Sequence, residues 1–177
     1  MSDKTFWPDS DPLLRKYYDK EWGVPVHDDR KLFELLTLEG MQAGLSWLTV
    51  LRKREAFVDA FHQFDIETVV KMSSTDVDVL MENPGLIRSR NKLNSVITNA
   101  QAIQKVQAEF GSFDEFLWQF VDHSPIVNHP KSNADIPAQT ELSQIVAKAL
   151  KKRGFKFVGP VITYSFLQAA GLVNDRF

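Results

Sequence analysis

The chain has 177 residues, 44% of them hydrophobic and 25% charged, with a formal net charge of −2. That profile suits one unit able to bury a sizeable core, and no apolar run is long enough to span a membrane. The absence of cysteine excludes a disulfide scaffold, a thiol nucleophile and a thiolate zinc site, and the start MSDKTFWPDSDP lacks the apolar run of a signal peptide, so a cytoplasmic protein is expected.

Asp11 before Pro12 predicts a helix N-cap with proline in the first turn, and that helix runs toward Trp22. Tyr17, Tyr18 and Trp22 lie along it. They read either as core packing or as a stacking surface for an unstacked base. Gly23, Pro25 and His27 form a connection. Asp28 predicts the cap of a second helix, with an apolar stripe of Leu32, Phe33, Leu35 and Leu36. Gly40 and Gly44 interrupt the next stretch or let it pack closely. If it is helical from Leu38 to Trp47, then Glu39, Gln42, Ala43, Ser46 and Trp47 fall on one face. Read singly, Glu39 is a surface carboxylate and Trp47 a core residue. Read together, they form a small polar and aromatic pocket, in which a carboxylate beside Leu38, Leu45 and Leu48 needs a partner or a task.

A further helix carries Leu48, Leu51 and Phe57, and Asp65 and Ser74 start two short ones. Leu86 to Phe110 repeats apolar residues at Leu86, Leu93 and Ile97, and Phe113 to Val121 is a helix rich in aromatics. Residues 123–139 hold Pro125, Pro130 and Pro137 and are predicted to form a loop, either packed down or functional. A helix returns at Thr140 with Leu142, Ile145, Val146, Ala149 and Leu150, ends at Gly154, and is followed by a last helix from Pro160. His27, His62, His123 and His129 have no metal-ligand spacing and are read as structural, with His62 in AFHQF as a core or boundary residue. Few segments alternate with period two, so the predicted fold is all-α.

Leu150 to Gly171, LKKRGFKFVGPVITYSFLQAAG, reads as helix, glycine-containing turn, helix. Backbone amides at such a turn, those of Val158 and Gly159 among them, can hold a phosphate oxygen. Lys151, Lys152, Arg153 and Lys156 would add sequence-independent attraction. The same residues also fit an ordinary helical hairpin whose basic end complements the helix dipole. Arg52, Lys53 and Arg54 form a second basic cluster.

Taken in order, DPLLRKYYDKEWGVP, KLFELLTLEGMQAGLSWLTVLRKREAF, FHQFD, GLIRSRNKL and ALKKRGFKFVGPVITYSFLQAAGLVND resemble the DNA-3-methyladenine glycosylase I family over nearly the whole chain. LEG-x-QAGLSW and KKRGFKFVG are the most specific pieces. The resemblance implies a helix-hairpin-helix glycosylase fold, with residues 1–177 as a single domain. Two helical lobes would enclose the base pocket, and residues 140–171 would carry the hairpin element. It implies alkylated double-stranded DNA as the partner of a monomer, and free 3-methyladenine as the product. Glu39 would be the catalytic residue, and Tyr17, Trp22, Gln42, Ser46 and Trp47 would contact the base. No lysine is placed to form a Schiff base, so hydrolysis without lyase activity is expected.

The chain departs from the family at its zinc site. Thr5, Tyr18 and Arg176 stand where ligands would be, so no cofactor is expected, and packing of Phe6, Trp7, Tyr18 and Phe177 is expected in its place. Asp175 lies where other helix-hairpin-helix glycosylases carry a catalytic aspartate; it is assigned no role. A lesion-binding module without catalysis and a helical interaction protein are the alternative readings.

Overall fold

A computed structural model describes residues 6–177. Helices start where the sequence supplies caps. Helix α1 (Pro12–Lys20) begins behind Asp11, whose carboxylate accepts from the Leu13 amide. Helix α2 (Asp29–Met41) begins behind Asp28, which accepts from the Lys31 amide. There follow α3 (Trp47–Arg52), α4 (Arg54–Ala60), α5 (Ile66–Val69), α6 (Ser74–Leu80), α7 (Arg90–Phe110), α8 (Phe113–Trp118), α9 (Glu141–Lys152) and α10 (Pro160–Ala169). Side chains of Ser46, Ser73, Ser89, Ser112 and Thr140 cap five of them, satisfying amides that a first helical turn leaves without partners.

Among the described residues the fold is all-α apart from two short strands, β1 (Ile126–Val127) and β2 (Val173–Asn174), paired in parallel. This pair pins the 123–139 loop to the segment after α10, although none of the loop's residues is buried.

Helix α2 is buried along almost its whole second half, from Leu35 to Met41. A helix apolar all round belongs in an interior, and α2 is the axis of a large hydrophobic cluster that includes Leu93 of α7, Leu117 of α8 and Phe166 of α10. A smaller cluster forms around Leu14, Tyr17, Tyr18, Trp22 and Leu51. Trp47 and Ile136 touch both. Arg54 clamps the boundary, donating to Glu34 at 2.7 Å and to both carboxylate oxygens of Glu21 at 2.8 and 2.9 Å. It thereby ties the end of α1 to α2. Gly171, at φ +79°, follows α10, and a Cβ there would lie 2.4 Å from the backbone of Val24 and Pro25. Glycine alone lets the connection after α1 cross so closely.

Three expectations are corrected. No single helix runs from Leu38 to Trp47: α2 ends at Met41, Gly44 turns at φ +79°, and Ser46 caps α3. His62 is exposed in a tight turn at φ +54°, outside the core. Ile145 is 50% exposed rather than part of the buried stripe of α9.

Candidate base pocket and DNA-facing hairpin

A cavity of about 400 Å³ lies at the boundary of the two clusters. Trp7, Tyr17, Trp22, Trp47 and Ile136 form its apolar wall, and Glu39, Gln42, Asn133, Ser165 and Gln168 supply polar groups. The Tyr17 and Trp47 rings are 5.4 Å apart and tilted by 57°. Trp7 meets Trp22 edge-on at 5.5 Å, and Trp22 stacks on Tyr18 at 5.4 Å. Edge and stacked packing of this kind fixes ring planes.

Glu39 is 4% exposed and has no hydrogen-bond partner among the described residues. Burial pushes its carboxyl up to about 8. Its place in the last turn of α2, at the negative end of the helix dipole, disfavours the ionised form further. The Tyr17 hydroxyl, Trp47 Nε1 and Asn133 Oδ1 are also buried atoms without partners among the described residues. The Tyr17 phenol is raised well above its ordinary value, first by burial and then by nearby Glu39, so its hydroxyl stays a donor. Orphaned buried polar atoms are costly. Collected around an aromatic slot, these are the groups that a flat, polar, cationic ring would satisfy. Gln42 is held at the rim by the turn after α2, where Lys92 Nζ donates to the carbonyls of Met41 at 2.9 Å and Ala43 at 2.6 Å.

Five residues singled out in the sequence therefore converge: Tyr17, Trp22, Glu39, Gln42 and Trp47. Ser46 does not join them. Its hydroxyl accepts from the Thr49 amide at 3.2 Å and pairs with the Thr49 hydroxyl at 2.8 Å as the exposed cap of α3. Sequence reasoning missed Trp7, Asn133, Ile136, Ser165 and Gln168. Ser165 and Gln168, three apart on an otherwise apolar helix, carried a readable signal; Trp7 and the two loop residues carried none.

The turn between α9 and α10 is shaped by Gly154 at φ +93° and Phe157 at φ +56°. Asn99 of α7 clamps it. Its Oδ1 accepts from the Lys156 amide at 2.8 Å and its Nδ2 donates to the Lys156 carbonyl at 3.2 Å. The amides of Phe157, Val158 and Gly159 donate to no described residue. They precede the first turn of α10, where an anion is favoured. Lys151, Lys152 and Lys156 are exposed beside them. Arg153 is engaged elsewhere, donating to Glu109 at 3.4 Å and lying 5.2 and 5.0 Å over the rings of Phe110 and Phe116. The second basic cluster is likewise largely paired, Arg54 as described and Arg52 with Asp11 at 3.2 Å. Val158 presents only its backbone, since its side chain is buried.

The residues at the family's zinc position do not fit the metal. Arg176 Nη1 donates to the carbonyls of Tyr18 at 2.6 Å and Trp22 at 2.8 Å, with its guanidinium 4.1 Å over the Tyr18 ring. A cation occupies the place of a neutral or anionic ligand. The Tyr18 hydroxyl donates to the Phe177 carbonyl at 3.1 Å, and Phe6 meets both Tyr18 and Phe177 edge-on at 5.1 Å. Thr5 lies outside the described residues.

Asp175 is 2% exposed and accepts from Asn128, Tyr164 and Gln168.

An all-α scaffold with an aromatic slot between two packed clusters and an amide-lined hairpin has the form of a helix-hairpin-helix DNA glycosylase. The family model described as methyladenine glycosylase matches residues 7–177. A DNA-3-methyladenine glycosylase of Haemophilus influenzae is 47% identical over 176 residues, covering 99% of this chain and 95% of that protein. DNA-3-methyladenine glycosylase 1 of Escherichia coli is 50% identical over 170 residues, covering 96% and 91%. A structure of 3-methyladenine DNA glycosylase I from Staphylococcus aureus, solved to explain 3-methyladenine recognition, superposes with a TM-score of 0.94 at 40% identity, covering 97% and 92%. The chain belongs to the methyladenine glycosylase family.

Proposed function

We propose that this protein excises 3-methyladenine from alkylated duplex DNA by hydrolysing the N-glycosidic bond, leaving an abasic site with the strand intact. The observation that carries the reading is Glu39, a buried acid in an aromatic cavity with no hydrogen-bond partner among the described residues. The relatives named for this activity, and the one solved for recognition of this base, support it.

Methylation at N3 puts a positive charge on the base, so the glycosidic bond is weak and no strong acid is needed to release it. Leaving the stack costs about a few kcal/mol. A desolvated cationic ring against Trp47 regains on the order of 2 kcal/mol. Glu39 gives up its proton as the cation enters and accepts from the exocyclic amino group, an interaction unavailable at that strength to neutral adenine. Its charge also stabilises positive charge developing on the sugar. Tyr17 donates to a ring edge, and Trp22 and Gln42 close the slot. Water then adds to C1′, the base leaves with the bonding electron pair, and one proton is released.

The hairpin amides and Lys151, Lys152 and Lys156 are taken to hold the backbone of the lesion strand. We take the two clusters as lobes of one domain with the cavity between them, and propose that it acts as a monomer. The cation at the zinc position supports a protein that works without the metal.

Incubation with methylated DNA, followed by chromatography of released bases, tests the proposal. Wild type is expected to release 3-methyladenine, Glu39→Gln and Trp47→Ala at least tenfold more slowly. Wild-type rates in both variants would overturn the pocket assignment, and DNA binding with no base released would favour a binding-only protein.

A further inference from the structure

Gln168 lies on α10, lines the base cavity and is 8% exposed. Its Nε2 donates to Asp175 Oδ2 at 2.8 Å. A carboxylate only accepts, so the amide cannot turn over without losing this bond. The side-chain oxygen, Gln168 Oε1, is the end left for the cavity, and no described residue donates to it.

Asp175 is itself held. Its Oδ2 also accepts from the Tyr164 hydroxyl at 2.5 Å, and its Oδ1 accepts from Asn128 Nδ2 at 2.7 Å. Three donors hold both oxygens of this carboxylate, which is 2% exposed. The β1–β2 pair brings these groups together, since Asn128 follows β1 and Asp175 follows β2. Asp175 thus sits where the pinned loop meets α10, behind the cavity wall.

We propose that Gln168 is a specificity-determining residue: its side-chain oxygen accepts from an N–H edge of the extruded base, and Asp175 is the positioning residue that keeps the amide this way round. The fixed negative end of the amide dipole favours a cationic ring over neutral adenine. An amide free to rotate would also present its NH₂, which repels a cation. The inference rests on the base-pocket reading above and adds to it a second acceptor beside Glu39.

The test is single-turnover release of 3-methyladenine from methylated duplex DNA at saturating enzyme. Gln168→Met keeps the length of the side chain and removes the acceptor. It should slow release about tenfold, the worth of one hydrogen bond to a charged group. Binding to an abasic duplex should stay at the wild-type value, which a general loss of structure would not allow; the Tm should fall slightly, because Asp175 also loses the Gln168 Nε2 donor. Asp175→Asn should slow release by a similar factor, and the double variant should be no slower than Gln168→Met, because both changes remove one interaction. Should Asp175→Asn fail to fold, Gln168→Met decides alone. Release by Gln168→Met at the wild-type rate would overturn the inference, as would a double variant whose loss is the product of the single losses. Wild type releasing no methylated base would sink the glycosylase reading itself; wild type releasing it while Gln168→Met keeps pace sinks only this inference.

Discussion

Burial pushes the Glu39 carboxyl up to about 8, and that gives two opposite signs to test. For activity, the form that meets a cationic base is the carboxylate, so kcat/KM for base release should rise with pH toward about 8 and level off, while Glu39→Gln stays slow and flat. For stability, the folded carboxyl sits above its ordinary 4.5, so folding favours the protonated form. Stability is then fully present below about 4.5 and falls as pH rises toward about 8. Glu39→Gln should therefore unfold at a higher temperature than wild type, with the gap larger at pH 8 than at pH 5 and on the order of a few kcal/mol. A variant less stable than wild type at pH 8 would contradict this. At this scale the sequence was legible in part. Glu39 and Trp47 were found, but through a shared helix face that does not exist. The chain turns at Gly44 between them, and their convergence comes from packing α3 against α2. Ser46 failed for the same reason.

The hairpin between α9 and α10 shows how unequal four neighbouring basic residues can be. Lys151, Lys152 and Lys156 reach water, whereas Arg153 spends its charge on Glu109 and its plane on Phe110 and Phe116. Each lysine changed to alanine should weaken DNA binding uniformly across sequences and reduce the slope of log affinity against log salt by about 1. Arg153→Ala should leave that slope in place and lower the Tm, through lost packing more than lost charge. A salt slope that falls with Arg153→Ala would reverse this assignment. The element itself was legible because caps and glycines are local signals: Thr140, Gly154 and Pro160 bound it as expected. Its clamp was not. Asn99 stands 57 positions before Lys156, and nothing in the pattern of α7 marks a polar residue that serves a distant turn.

Across the whole molecule, the cavity sits on a seam, and direct contacts among the described residues fasten it. Arg176 reaches the carbonyls of Tyr18 and Trp22, and Phe6 and Phe177 pack on Tyr18. A chelator should leave the Tm unchanged, and Arg176→Ala should lower it by about 2 kcal/mol in stability, since two carbonyls and a stacked cation lose their partner. Stoichiometric zinc in the purified protein, or a Tm that drops with chelator, would refute this. The sequence exposed the substituted positions and the aromatic packing of Phe6, Trp7, Tyr18 and Phe177, but not the reach of Arg176 to the carbonyls of Tyr18 and Trp22, which joins residues more than 150 positions apart. Trp22 belongs both to this fastening, through its carbonyl, and to the wall of the base cavity. Whatever loosens the join between the chain's two ends therefore also loosens the wall against which a base would rest.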